Sequence, residues 1–358
     1  MPLFAQISET AVNPALGMMI FVLGGLAGAV FYLPFNKVKN WAWESYWMVY
    51  AVIGLVVVPW IMAFSTSPNV ISVLMASPQD ELSYCYTCGA MWGLGGLTWG
   101  LMIRYLGVGL GLAIGCGLCS ASGTLVPPIL KGNFAELLQT QAGMVSLGGV
   151  LVSLLGIVFV GGAGMSKENE LPEELKKAAV AEFNFKKGLM VAIFSGLMSA
   201  SMNYGLQGGL KIEELALTIE PVTGNTWKGM PVLVVVLMGG FVVNFVWCLY
   251  LNLKNKTIGD YAKSSTPIIG NLFFAVVAGA IWCSQFVCLK TGEPLMGKLS
   301  YIDWSVLMAS QILFSAILGI FLGEWKNTSS RTKTLLALGL LLLVFSAVIS
   351  GYSGYLKQ

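Results

Sequence analysis

The side chains best suited to bind a ligand in this chain are amides and indoles at helical spacing. Five residues recur every three or four positions and therefore share one face of a helix. They are Asn271, Ala275, Ala278, Trp282 and Gln285. Amides donate and accept hydrogen bonds, and an indole offers a flat apolar face. Such a face suits a neutral polyol better than an ion, although amides can equally well hydrogen-bond one membrane helix to the next.

A second polar set repeats every four residues, with Tyr204 beside it. It consists of Ser195, Ser199, Asn203 and Gln207. Asn244 and Gln311 add single amides in two further apolar segments. No Asp or Glu falls at a position predicted to lie in the middle of a membrane, so the predicted cavity is lined by neutral groups.

The seven cysteines include two C-x-x-C spacings, at 85/88 and 116/119. All seven lie in apolar segments without a neighbouring histidine or carboxylate, and thiols in such surroundings are usually inert. We therefore expect the cysteines to pack rather than to bind metal or do redox chemistry. No cofactor is predicted.

Composition excludes most classes of soluble protein. The chain is 56% hydrophobic and 10% charged, with a mean hydropathy of +0.77, whereas about 25% of an ordinary soluble domain is charged. It has no histidine, which excludes His-based triads, His-ligated zinc and His-ligated haem. The net charge of +3 is scattered and does not indicate nucleic acid. These properties predict an all-α polytopic membrane protein that is not an enzyme.

The elements that position these residues are ten apolar segments, each near the roughly 20 residues that cross a bilayer. They lie at about 16–35, 41–64, 81–103, 106–130, 143–162, 188–209, 231–253, 268–289, 304–322 and 334–352. Segments 65–80 and 210–229 are predicted loops. Trp41, Trp43 and Trp47 open the second segment, and tryptophans there suit an interfacial aromatic belt.

A charged stretch at 164–187, with five lysines and five glutamates, is predicted to be a solvated cytoplasmic linker. It divides the chain into repeats at 1–163 and 188–358. Five spans per half mean that duplicated halves insert in opposite orientations, as in inverted-repeat transporters. The fragment GAMW at 89–92 has a counterpart, GAIW, at 279–282. The sequence therefore predicts ten transmembrane helices arranged as two inverted five-helix repeats.

The distribution of basic residues predicts the orientation. The loops after odd-numbered spans hold 14 of the 20 lysines and arginines. Cytoplasmic loops are enriched in these residues, so both termini are expected on the periplasmic side.

Several long motifs resemble one family. FYLPFNKVKNWAWESYW, GAMWGLGGLTWGLMIRYLG, PPILKGNF, EFNFKKG and GEWKN are similar to sequences of the bacterial L-rhamnose/proton symporter family, in the drug/metabolite transporter superfamily. The resemblance covers most of the chain, with little match in the loops at 65–80 and 211–229. It implies ten spans as inverted repeats, an inner-membrane location, and proton-driven uptake of L-rhamnose by alternating access.

The resemblance also directs the choice of site residues. We expect the sugar to bind by stacking and amide hydrogen bonds to six residues, namely Tyr32, Trp92, Asn203, Gln207, Trp282 and Gln285. Without histidine, carboxylates remain as proton carriers, and Glu44 and Glu324 lie within matched motifs against apolar sequence. The alternative is that both are interfacial carboxylates paired with Lys37, Lys39 or Lys326.

Two other functions remain open on sequence alone. One is transport of another small neutral solute within the same superfamily. The other is a membrane-embedded transferase, which would need clustered carboxylates or basic residues facing a nucleotide, and no such cluster is visible. The expected partners are a neutral sugar, protons and the lipid bilayer, and the oligomeric state is open.

Overall fold

A computed structural model of the protein describes residues 12–130, 134–172, 174, 180, 182–263 and 265–356. Every regular element in this part of the chain is helical. Most of 173–181, the centre of the predicted linker, lies outside the described residues, as do the first eleven residues and 131–133 of the PPILKGNF motif.

Fifteen α-helices are described within these ranges. They are α1 (Pro14–Val30), α2 (Trp43–Val52), α3 (Val58–Thr66), α4 (Val70–Ala76), α5 (Gln79–Leu106), α6 (Val108–Leu130), α7 (Phe134–Gln139), α8 (Gln141–Glu170), α9 (Phe185–Ser199), α10 (Ser201–Gln207), α11 (Leu210–Thr218), α12 (Met230–Asn255), α13 (Ile268–Met296), α14 (Asp303–Phe321) and α15 (Ser330–Tyr355). Short 3-10 turns at Leu33–Lys37, Asn225–Trp227, Ile258–Ala262 and Gly297–Ile302, and a π-turn at Ile53–Val57 between α2 and α3, complete the described elements.

Eight helical segments of the described chain are long and apolar enough to cross a membrane. The prediction of an all-helical polytopic membrane protein is confirmed. The two predicted spans that do not meet this measure are those of α5 and α6. In α5, several glycines and two tryptophans lower the mean hydropathy, whereas α6 is described with all of its side chains only over Val108–Gly123.

Both predicted loops contain helices. Segment 65–80 includes α4, and segment 210–229 includes α11 and a 3-10 turn. The predicted sixth span lies within one membrane-crossing segment, Phe185–Thr218, but its helix is interrupted at Ala200 between α9 and α10. Ser199 and Ser201 flank this break.

One compact unit contains the described parts of 1–20, 30–94 and 201–297. Within it, α2 packs against α12 and α13, and α11 packs against α4. Glycines allow the closest approaches between these helices. A Cβ at Gly89 would overlap the carbonyl oxygen of Val236, and one at Gly279 would lie 2.8 Å from the carbonyl oxygen of Tyr50.

A second unit contains 21–29, 95–200 and the described part of 298–358. Here α6 packs against α8, α9 and α14. The longest packed pair is α8 and α15, which run antiparallel: Ser146 hydrogen-bonds Ser353 near one end, and Gly339 faces Val160 near the other.

Candidate functional site

The amide-and-indole face predicted on α13 is buried. Asn271, Ala275 and Ala278 are inaccessible to solvent, and Trp282 and Gln285 are only 5% and 3% exposed. These residues therefore pack inside the unit that contains them and do not face lipid.

The two amides of this face have different partners. Asn271 accepts a hydrogen bond from the backbone N–H of Lys39 at 2.9 Å and donates one to its carbonyl oxygen at 2.8 Å. Gln285 makes no hydrogen bond through its side chain to any residue that the structure describes. Asn271 thus connects two segments of the chain, whereas Gln285 has its hydrogen-bonding capacity free for a ligand.

Trp282 forms the centre of an aromatic cluster. Its indole stacks on that of Trp92, with ring centroids 5.0 Å apart and planes inclined by 26°. Phe286 and Tyr50 contact the same indole, with centroids at 5.0 and 6.0 Å. A Cβ at Gly240 of α12 would lie 2.5 Å from the ring of Trp92. The absence of a side chain at Gly240 therefore leaves space for this indole.

Tyr32 lies at the other end of this aromatic cluster. Its ring is 5.2 Å from that of Phe35 and 6.5 Å from that of Trp47, and Trp47 continues to Tyr50 at 4.6 Å. The structure therefore links Tyr32 to Trp282 through two intervening rings. Trp47 is only 1% exposed, so its assignment to an interfacial belt is wrong.

Asn244 and Gln311 hold helices together. Asn244 accepts a hydrogen bond from the indole N–H of Trp47 at 2.9 Å and donates to the carbonyl of Gly240 at 2.8 Å. Gln311 donates to the carbonyl of Gly28 at 3.0 Å, within the second unit. For these two amides, the helix-joining interpretation is the one that the structure supports.

The second polar set is divided by the break at Ala200. Gln207 donates to Asn203 at 3.1 Å on α10, and Gln207 is exposed. Ser195, on α9, donates instead to the carbonyl of Gly95 at 2.8 Å. Among the described residues, neither Asn203 nor Gln207 has a hydrogen bond or ring contact to the indoles. However, α10 runs beside α5, because a Cβ at Gly205 would lie 3.0 Å from Cβ of Cys88, one turn before Trp92.

Glu44 is buried and accepts hydrogen bonds from the Asn255 amide and the Thr257 hydroxyl, both at 2.9 Å. No described lysine forms an ion pair with it, so pairing with Lys37 or Lys39 is wrong for this residue.

Glu324 lies at the N-terminus of a helix. Its carboxylate accepts hydrogen bonds from the backbone N–H groups of Val108 at 2.7 Å and Gly109 at 3.0 Å, and so caps the N-terminus of α6. A helix N-terminus carries partial positive charge and unpaired donors, which favour a carboxylate. The chain enters the helix through Gly107, which has a φ of +85°, and a Cβ there would lie 2.7 Å from the carboxyl carbon of Glu324, so a side chain is excluded.

The positive charge that acts on the Glu324 carboxylate is that of Lys167 rather than that of Lys326. Lys167 is inaccessible to solvent, and its ammonium has no hydrogen-bond partner within the described part of the chain but lies 4.8 Å from the ring centre of Phe183 and 5.1 Å from that of Trp325. Burial raises the pKa of Glu324, against the opposing effects of the Lys167 charge and the α6 backbone N–H groups. Lys167 belongs to the stretch predicted to be solvated, and for this residue that prediction is wrong.

An open groove of about 880 Å³ reaches Glu324. Lys326, Lys333 and the aromatic ring of Phe321 are among its lining residues. The carboxylate is itself only 3% exposed, but the groove provides a short route between it and the surrounding medium.

Comparison with known proteins gives consistent matches over nearly the whole chain. The family model described as L-rhamnose-proton symport protein (RhaT) matches residues 10–355. Proteins named L-rhamnose-proton symporter from Escherichia coli (strain Crooks) and E. coli O1:K1 are each 33% identical over 342 residues, and one from Shigella boydii serotype 18 is 32% identical. Each alignment covers 94% of this chain and 97% of the relative.

Proposed function

Because the chain belongs to the L-rhamnose-proton symport protein family, we propose that it takes up L-rhamnose together with protons. It is a multi-pass protein of a transporter family, not an enzyme. The observation on this chain that best supports sugar binding is the amide of Gln285, which is buried, has no hydrogen-bond partner among the described residues, and lies three residues from the stacked indole of Trp282.

For the membrane architecture we propose ten spans, with α5 and α6 as the third and fourth. The two five-helix repeats at 1–163 and 188–358 are inverted, the stretch 164–187 joins them in the cytoplasm, and both termini are periplasmic in the inner membrane. The excess of basic residues in alternate loops supports this orientation. The stacking of the tryptophans of GAMW and GAIW supports the repeat, since equivalent residues of two repeats meet near a shared axis.

The sugar site in this proposal consists of Trp282, Gln285 and Trp92, with Asn203 and Gln207 on the neighbouring α10 and Tyr32 at the far end of the aromatic cluster. Indoles stack on the apolar face of a pyranose, and amides satisfy its hydroxyls. Trp92 and Trp282 are buried against one another in this conformation, so sugar binding requires one indole to expose a face.

Protons are carried by Glu324 in this proposal, with Glu44 as the second candidate. Glu324 combines burial, a raised pKa, a buried counter-charge and a groove to the medium. Protonation would weaken its hold on the α6 N-terminus, because a neutral carboxyl accepts hydrogen bonds less strongly than a carboxylate. A proton-dependent helix cap can therefore couple protonation to a movement of α6.

One proton per sugar suffices for useful accumulation. Moving one charge through 100 mV contributes about 2.3 kcal/mol, which corresponds to a roughly fifty-fold concentration ratio. Binding of sugar and proton from outside then precedes rearrangement of the two repeats and release inside.

The proposal is tested by reconstituting the purified protein in vesicles and recording external pH when L-rhamnose is added without any imposed gradient. Alkalinisation of the medium that does not depend on sodium is expected, and L-rhamnose should compete with labelled L-rhamnose better than other deoxyhexoses do. Sodium-dependent uptake without a pH change would contradict proton coupling, and stronger competition by another sugar would reassign the substrate.

A further inference from the structure

A buried charge cluster lies on α13 beyond the proposed sugar site. The Lys290 ammonium is 2.6 Å from one carboxylate oxygen of Glu213 and 2.7 Å from the carboxylate of Glu293. Lys228 lies 3.4 Å from the second oxygen of Glu213. These four residues, called here the Lys290 cluster, carry balanced charges and belong to one compact unit.

The two central members are removed from solvent. The side chains of Lys290 and Glu213 are 5% and 9% exposed. Removing one partner of a buried pair leaves an uncompensated charge, which is far more damaging than loss of an exposed pair. The same helix, α11, carries an exposed pair for comparison, because Lys211 and Glu214 lie 3.3 Å apart with about two-thirds of each side chain exposed.

Lys290 continues the row of side chains on α13 that begins at Trp282. Trp282, Phe286 and Lys290 follow at intervals of four residues, whereas Gln285, five residues before Lys290, points about 140° away from it around the helix. With a rise of about 1.5 Å per residue, the lysine stands roughly 12 Å along the helix from Trp282. The cluster therefore lies at one end of the proposed site.

Glu213 connects this end of α13 to α10, the helix that carries Asn203 and Gln207. It lies on α11, which Gly208 and Gly209 separate from α10 and its Asn203–Gln207 pair. Glu81 of α5 accepts a hydrogen bond from the backbone N–H of Ile212 at 3.1 Å and restrains the first turn of α11.

The segment that leads into α12 also packs against Lys290. A Cβ at Gly229, directly before α12, would overlap Cε of Lys290. Glu81 and Cys85 of α5 and Lys228 are the titratable groups that neighbouring elements bring to the cluster, since α4 and the first three turns of α12 contain none. Three segments thus meet at a single buried ammonium.

We propose that Lys290 and Glu213 are positioning residues for the sugar site. Their ion pair holds α11 against α13, and thereby sets the distance between the amides of α10 and the Trp282–Gln285 face. This inference rests on the proposed function, because it assigns the two residues to the binding of the transported sugar. The sequence alone placed Glu213 in an outer loop, where a charged residue is normally solvated.

The test compares uptake of labelled L-rhamnose by vesicles containing Glu213→Gln or Lys290→Met with uptake by the matched exposed variants Glu214→Gln and Lys211→Met. We expect KM to rise at least about tenfold in the two cluster variants while Vmax per folded protein stays within about twofold. The exposed variants should match the wild type. Equilibrium binding of labelled L-rhamnose to purified protein should show the same loss of affinity.

Two further variants keep the test decisive if Lys290→Met fails to fold. Lys290→Arg retains the cation and should retain most of the affinity, whereas Glu213→Asp shortens the contact and should raise KM in a folded protein. A fall in Vmax with unchanged KM would indicate a merely structural role and overturn the proposal. Loss of sugar-driven alkalinisation at unchanged KM would make Glu213 a proton carrier and also overturn it.

Failure of this inference can be separated from failure of the proposed function. If the wild type transports L-rhamnose and Glu213→Gln equals Glu214→Gln in KM, only the positioning role is refuted. If the wild type transports a different sugar, the same comparison of KM is made with that sugar. A wild type that transports no sugar refutes the proposed function and the positioning role together.

Discussion

Trp92 and Trp282 stack on one another with ring centroids 5.0 Å apart. Each is the last residue of a four-residue fragment, GAMW or GAIW, and each fragment begins with a glycine that lies against a neighbouring helix backbone. Gly89 faces Val236, and Gly279 faces Tyr50. The two fragments therefore perform the same structural task, a close helix contact one turn away from an indole in the aromatic cluster.

Replacing Gln285 by alanine should reduce kcat/KM for L-rhamnose about tenfold. A neutral hydrogen bond contributes up to about 1.5 kcal/mol, which corresponds to one factor of ten. The replacement leaves no described protein group unpaired, so the melting temperature should hardly change. Gln141→Ala, at an exposed amide on α8, is the control, and equal uptake by both variants would remove Gln285 from the site.

Replacing Trp282 by alanine should abolish sugar-dependent proton uptake, because the variant loses the stacking surface and the support of Trp92. Trp247→Ala provides the control at an indole that is 47% exposed. The measurement is alkalinisation of the medium by vesicles with equal amounts of folded protein. Wild-type signals from Trp282→Ala would contradict the proposed stacking.

The variant Glu324→Gln should lose concentrative uptake but keep exchange of internal for external sugar. Glutamine resembles the protonated acid in shape and cannot release a proton. Counterflow and uptake against a gradient are measured in the same vesicles, with Glu44→Gln alongside. Retention of concentrative uptake in Glu324→Gln and its loss in Glu44→Gln would transfer the proton-carrying role to Glu44.

Stability should depend on pH through Glu324. Burial raises the pKa of this carboxyl above its usual range, so the folded protein binds this proton more tightly than the unfolded chain does. The resulting stabilisation is complete at pH values below the ordinary carboxyl pKa and is lost as pH rises through the raised value. The melting temperature of the wild type relative to Glu324→Gln should thus decrease from about pH 4 upward. An increase over that range would contradict a raised pKa.

Replacing Gly89 by alanine should destabilise the protein by about 1–3 kcal/mol, the usual result of overfilling a packed interface. The added methyl would overlap the backbone of α12 at Val236, which cannot rotate away. Gly148→Ala on α8 is the matched control, since nothing lies within 4 Å of its Cβ position. Thermal unfolding in detergent measures both, and equal melting temperatures would show that the two helices separate easily.

The sequence by itself determined the features that depend on local chemistry. Segment length and hydropathy predict membrane helices, and the spacing of Asn271, Trp282 and Gln285 predicts one buried face, because helical periodicity is a property of neighbouring residues. The long motifs were sufficient for the family. They did not predict the interruption of the sixth span at Ala200 or the helices within the two predicted loops.

Only the tertiary structure decided what each buried polar group contacts. Asn271 and Gln285 have the same type of side chain and share one helix face, yet the partner of Asn271 is Lys39, 232 residues away, and Gln285 has none among the described residues. Lys167 and Lys290 read as solvated lysines in sequence but are buried against aromatic rings and carboxylates, respectively. Periodicity states which side of a helix is covered, whereas the free energy of a buried charge or amide depends on groups that distant segments bring to it.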